Sequence, residues 1–345
     1  MSALRFTRFA ATIVVALMAT AAHAVTIDWV TVGDPGNAAD TAPAGYGAVA
    51  ASFRIMKYEF TNQLYTDFLN SVAATDPYSL WDTNMGSNVR GGISRSGSSG
   101  SYYYSVKTDM GDKPVNYVTW FDAARVANWM QNGQGSGSTE TGAYTLSGAT
   151  SGTAPAVNPG ASVYIPTEDQ WYKAAFYKGG GTSAGYWNYG TQNDTAPTGV
   201  SATTVGTGTS GGVSPVTSGN KVNFNRVADW NGQDGNVTTV GTNGGPSAYG
   251  AFDMSGNVNE WNDLTGAVSA TRGLRGGGWN YSANDVSSSY RNTLGPGPDA
   301  VIGFRLASAV SGPSGVPEID PAGMGSVLGL VCGALGLLER RRVRR

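Results

Sequence analysis

Fifty glycines are scattered through 345 residues with no repeat of fixed period, and this feature narrows the possible architectures most. Glycine is the residue of turns and strained backbone, and it weakens the interiors of helices and strands. A chain so rich in it is built largely from loops. Nine tryptophans and 17 tyrosines accompany the glycines, which is bulk enough for a large core, so the composition does not signal disorder. Only 13% of residues are charged and the net charge is -2, leaving no electrostatic case for a nucleic-acid partner. Abundant Gly, Ser, Thr and Asn with few charges suggests a loop-rich extracellular protein. The expected fold class is α+β and irregular, with few helices and short strands.

The two ends suggest a compartment. "MSALRFTRFAATIVVALMATAAHA" carries Arg5 and Arg8, an apolar run from Phe9, and Ala22 and Ala24 around His23. This predicts a secretory signal peptide over 1–24, with the mature chain starting at Val25; a retained anchor fits less well because the run is short. Residues 312–345 join a Pro/Glu/Asp turn to an apolar run, Ala322 to Leu338, and then an arginine-rich tail over 339–345. The run is near the lower limit of about 17 residues for a spanning helix, and the arginines would stay cytoplasmic. This layout resembles the PEP-CTERM sorting signals of Gram-negative bacteria, with Val-Pro-Glu-Ile-Asp-Pro where that class has Pro-Glu-Pro. The resemblance implies transient residence in the inner membrane until a dedicated sorting protease acts. The destination would be the cell surface or medium, often of cells that make exopolysaccharide.

Cys332 is the only cysteine and lies inside the apolar run; His23 is the only histidine and would leave with the signal peptide. Residues 25–311 therefore offer no disulfide, no thiol nucleophile, and no cysteine or histidine metal site. A catalytic triad that needs histidine is excluded as well.

About 290 residues remain between the end segments, enough for one domain with long loops. Three helices are predicted. Thr61 caps a segment with Leu64, Tyr65, Phe68, Leu69 and Val72 on one stripe, and Thr119 caps another that begins at Trp120. In the third, Thr167 and Gln170 form a capping box, Glu168 and Asp169 sit at the positive end, and Lys178 precedes a glycine stop. "GGISRSGSSGS", "NGQGSGSTETG" and the stretch from Gly179 to Asn220 are predicted to be loops.

Five pieces recur in a telling order: "MKYEFTNQLYTDFLN", "DKPVNYVTWFDAARVANWM", "YIPTEDQWYKAAFY", "YGAFDMSGNVNEW", and "LRGGGW" followed by "GFR". Together they resemble the formylglycine-generating enzyme family, or sulfatase-modifying factor domain, over roughly residues 27 to 308. The resemblance implies an irregular, loop-rich variant of the C-type lectin fold. It also implies calcium at Asp253, Gly256, Val258 and Glu260, a set of hard oxygen ligands that suits this ion. A turn held by side-chain hydrogen bonds is the competing reading. A second calcium loop would use Asn223, the Phe224 carbonyl, Asp234 and the Asn236 carbonyl; an Asp-Gly turn without metal explains it equally well.

Members of that family that make formylglycine use two cysteines to hold copper. Aligned through Arg291 and Gly303-Phe304-Arg305, those positions are Ala283 and Ser288 here. Neither residue can supply a thiolate for Cu(I), and an iron site of histidines, as in the related sulfoxide synthases, is absent too. No copper or iron is expected. Arg275, Trp279, Arg291, Arg305 and Trp187 are the candidate ligand-contacting residues, although buried hydrogen bonding by Arg275 and Arg305, with Trp279 packed beneath them, is the favoured reading of those three. Trp120, Trp171 and Trp261 are assigned to the core. Tyr102, Tyr103, Tyr104, Trp187 and Tyr189 lie in glycine-rich loops, where they either stack on sugar rings or anchor the loops. The leading expectation is an exported, surface-anchored module that binds a glycan or protein, or is structural. The alternative is an oxidoreductase or hydrolase of the same family using an unrecognised site.

Overall fold

The computed structural model describes residues 24–43, 45–209, 219–295 and 297–310. The segment expected to be a signal peptide, 1–24, lies outside the described residues except for Ala24, and so does the segment 312–345 expected to sort and anchor the chain. Among those described, no helix is long and apolar enough to cross a membrane.

The chain order is β1 (Trp29–Val32), β2 (Phe53–Met56), α1 (Asn62–Val72), α2 (Thr83–Ser87), β3 (Ile93–Ser96), β4 (Tyr103–Val106), α3 (Trp120–Gln131), β5 (Val163–Tyr164) and α4 (Glu168–Phe176). Then follow β6 (Thr198–Gly199), β7 (Lys221–Val222), β8 (Asn259–Asn262), β9 (Arg272–Arg275), a 3-10 turn (Asn284–Val286), β10 (Asn292–Leu294), β11 (Ile302–Gly303) and β12 (Ala307–Ala309). Mixed short helices and strands joined by long loops match the expected α+β class.

The predicted caps form. Thr61 accepts from the Leu64 N–H, and α1 buries Tyr65, Phe68 and Leu69. Thr119 and Asp122 make a reciprocal capping box at α3, as do Thr167 and Gln170 at α4. α4 stops at Phe176 rather than running to the glycines, because Tyr177 turns extended. α3 is buried from Trp120 through Trp129, so it is a central helix and not a surface stripe. "GGISRSGSSGS" corrects the loop expectation: Ile93–Ser96 pairs antiparallel with Tyr103–Val106 as a hairpin. Its register places Arg95, stacked 4.2 Å from both Trp81 and Tyr102, where the sequence shows only small residues.

Two four-stranded sheets organise the motifs. One runs β1-β2-β12-β5, joining the two ends of the domain. The other runs β10-β9-β8-β11, with β8 antiparallel to β9 and parallel to β11. That register sets Glu260 beside both Arg275 and Gly303, so two neighbouring motifs and the more distant Gly-Phe-Arg motif share one sheet. Trp120, Trp171 and Trp261 are wholly buried, as assigned.

The core also takes in acids, which predicts a pH response. Burial pushes the carboxyls of Asp122 and Asp263 up to about 7, and Asp253 and Glu59 also shift upward, chiefly by burial. A carboxyl whose folded pKa exceeds its unfolded value contributes stability that is complete below about pH 4 and is lost as pH rises toward 7. Thermal melting is therefore expected several degrees higher at pH 5 than at pH 8. A melting temperature that climbs over that interval contradicts the assignment.

Candidate functional site

The candidate site begins at the N-terminus of α4. The capping box fixes the first turn, and Glu168 emerges where the helix dipole favours an anion. Its carboxylate serves two guanidinium groups. Arg275 Nε donates to Oε1 at 2.9 Å and its Nη2 lies 2.8 Å from the same oxygen. Arg291 donates through Nε to Oε1 at 2.8 Å and through Nη2 to Oε2 at 3.0 Å, and this pair raises the Arg291 pKa. Arg275 is sealed from solvent, whereas the Arg291 side chain is 37% exposed. Arg275 Nη1 donates to the carbonyls of Ser288 and Tyr290, and its plane lies 4.5 Å from the Tyr46 ring and 5.0 Å from Tyr172.

Ser288, one of the two positions aligned with the family's thiols, is buried against this cluster. Its N–H donates to the Asn188 carbonyl, and neighbouring Tyr172 donates its hydroxyl to Asp40 at 2.6 Å. Ala283, the other position, starts the 3-10 turn and packs near Val286. Neither the hydroxyl of Ser288 nor the methyl of Ala283 is a ligand for copper.

A second cluster lies under the "DMSGNVNEW" turn. Asp253, Gly256 and Asn257 adopt positive φ, and a side chain at Gly256 would collide with Val222 and the Asn223 carbonyl. The carboxylates expected to bind calcium are committed to protein donors. Asp253 accepts from the Gly241 N–H and from Asn243. Glu260 accepts from Arg305 Nη2 at 2.6 Å, from Arg305 Nε at 2.7 Å and from Trp171 Nε1 at 2.8 Å. The Val258 N–H and the Asn257 amide both donate to Glu59. Among the described residues no three His, Cys, Asp or Glu side chains form a metal-holding group. As arranged, the set Asp253, Gly256, Val258 and Glu260 does not fit the ion; the hydrogen-bonded turn accounts for it.

The second calcium set differs. Asn223 is buried, its Nδ2 donates to the Asn236 carbonyl, and its Oδ1 is a buried acceptor that no protein donor meets. The Phe224 carbonyl receives only the long 3.3 Å bond from Val227. Asp234 faces solvent, 3.8 Å from Arg226. The free oxygen is what a hard cation asks for, so Asn223, Phe224 and Asn236 fit, with Asp234 the outlying member.

The remaining candidates separate. Arg305 is wholly buried with Glu260 and the carbonyls of Met56 and Phe252, which makes it a structural organiser. Trp279 is buried beneath Arg90, which also donates to the Asp234 and Gly235 carbonyls. Half-exposed Trp187 adjoins Asn188 and therefore borders Ser288. Tyr104 and Tyr189 are anchors within the fold, and Tyr103 is 60% exposed. Sequence reasoning missed Glu59, whose one signal is an acid set between Tyr58 and Phe60 ahead of a helix cap. It also missed the Asp263–Arg272–Tyr144 group, which ties α3's Trp120 to the sheet.

A scaffold with a short-stranded sheet, capped helices and paired buried arginines, on which these motifs meet, defines a sulfatase-modifying-factor type of domain. Residues 22–310 match the Sulfatase-modifying factor enzyme 1-like domain, and the chain belongs to that family. Among solved structures it is similar to Treponema denticola variable protein 1, at 17% identity and TM-score 0.47, covering 84% of this chain and 97% of that one. It is similar also to CarF, at 21% identity and TM-score 0.46, covering 83% and 99%. PvdO from Pseudomonas aeruginosa is a third, at 17% identity and TM-score 0.39, covering 82% and 92%. No protein with a curated description matches the chain.

Proposed function

We propose that this protein is an exported, envelope-linked binding module that uses the family scaffold, a variant of the C-type lectin fold, to hold a glycan or protein. One observation supports the reading: Ser288, expected from the resemblance to stand where the family has a thiol, is buried and its carbonyl is held by Arg275, which shares Glu168 with Arg291. A braced polar surface suits recognition, and it lacks the soft thiolates that hold Cu(I) while oxygen oxidises a substrate thiol. The terminal segments support export and surface anchoring, with a PEP-CTERM-type sorting protease and exopolysaccharide as partners. Purified protein is expected to bind saturably on a glycan array or to native exopolysaccharide. Absence of binding to every polymer, with and without calcium, removes the proposal.

A structural calcium belongs to the same reading, held by the Asn223 set. Ligation there would tie the 223–236 loop together in a domain with no disulfide. About 1 mM calcium, the range of extracellular sites, is expected to stabilise the protein by about 0.4–1.4 kcal/mol. The melting temperature should rise accordingly, and Asn223→Ala should abolish the rise. An unchanged melting curve on adding calcium or chelator ends this assignment.

A further inference from the structure

The rim of the Ser288 site carries a signal about the class of ligand, and its meaning rests on the proposed binding role. Tyr46 and Trp187 are partly exposed, one ring beside Arg275 and Arg291 and the other beside Lys178, which leaves the opposite ring faces for a ligand. Exposed Ser289 and Asn188 add a hydroxyl shared with Ser287 and an amide that donates to the Asp194 carbonyl. Every charge around them is already matched within the protein. Arg291 turns Nε and Nη2 onto Glu168. Lys178 lies 3.8 Å from Asp194 and 4.2 Å from the Trp187 ring. Asp40 accepts from the Tyr172 hydroxyl and from the N–H groups of Thr41 and Ala42. Asp169 accepts from the Gly47 N–H.

The balance of this surface is slightly negative, because Arg275, Arg291 and Lys178 face Glu168, Asp169, Asp40 and Asp194. An anionic sugar would meet a field of its own sign and would have to pull Arg291 from Glu168, leaving the sealed Arg275 with a weakened partner. A neutral sugar meets neither obstacle. Its C–H face packs on an aromatic ring, and its hydroxyls exchange bonds with Ser289, Asn188 and the unengaged Nη1 of Arg291.

We propose that the ligand of this site is an uncharged polysaccharide, seated on Trp187 and Tyr46. The test is affinity electrophoresis and calorimetry of the full-length protein against neutral polymers (dextran, mannan, β-glucan) and acidic ones (alginate, hyaluronan). Each is run at about 50 and about 500 mM salt, where screening lengths differ several-fold. Retention by a neutral polymer, nearly unchanged by salt, is expected. Trp187→Ala should weaken it about tenfold, the loss of roughly 1.4 kcal/mol of ring contact. Trp187→Phe should retain most of the affinity, which separates lost stacking from lost folding. Binding only to acidic polymers with steep salt dependence overturns the neutral assignment while leaving the binding role intact. Binding to neither class removes both, and neutral binding untouched by Trp187→Ala places the ligand elsewhere and overturns the proposed seat.

Discussion

Replacing Arg305 with methionine is expected to cost about 3–5 kcal/mol of stability. Arg305 and Glu260 are both wholly buried and joined through two nitrogens and two oxygens. Removing the guanidinium leaves the Glu260 carboxylate in the core, near Glu59 and Asp253, with no cation to offset it. The Met56 and Phe252 carbonyls lose a donor at the same time. At roughly 2–4 °C per kcal/mol for a domain of this size, the melting temperature should fall by about 10 °C. The double replacement Glu260→Met with Arg305→Met should cost less than Arg305→Met alone, because no uncompensated charge remains. Urea denaturation of the unsubstituted protein and the two variants distinguishes these outcomes. A single-variant loss under about 1 kcal/mol shows that the pair is not the clamp described.

Glu168→Gln should have an effect of the same order, about 3 kcal/mol, and should differ sharply from Arg291→Gln. Glu168 is the shared anion, and its amide replacement leaves sealed Arg275 without a counter-charge. Arg291 touches the same oxygens but is 37% exposed, so solvent screens its pair and its loss should cost no more than about 1 kcal/mol. The contrast is the prediction. Equal losses in the two variants would mean that the cluster is a solvated surface network and not a brace for the Ser288 wall.

Some of this was legible from the residues and some was not. Helix starts were readable because Thr61, Thr119 and Thr167 act on donors three residues away. The arginines of "LRGGGW" and "GFR" were recognisable as buried organisers, but their partners were not, since β8, β9 and β11 meet only through sheet pairing across the chain. Carboxylates in a glycine-bearing turn read as calcium ligands. Only the fold reveals that Arg305 supplies the positive charge to Glu260 and that Gly241 and Asn243 satisfy Asp253. The hairpin around Arg95 was hidden by its serines, because its inward face depends on Trp81 and Tyr102 from neighbouring segments.

Mass spectrometry of a cysteine-containing peptide incubated with the purified protein, oxygen and supplied Cu(I) tests the absence of thiol chemistry at Ser288 and Ala283. The peptide should emerge with its cysteine unconverted at every time point, since hydroxyl and methyl groups cannot seat the soft ion. Protein-dependent appearance of formylglycine would show that the scaffold still oxidises and would contradict the account.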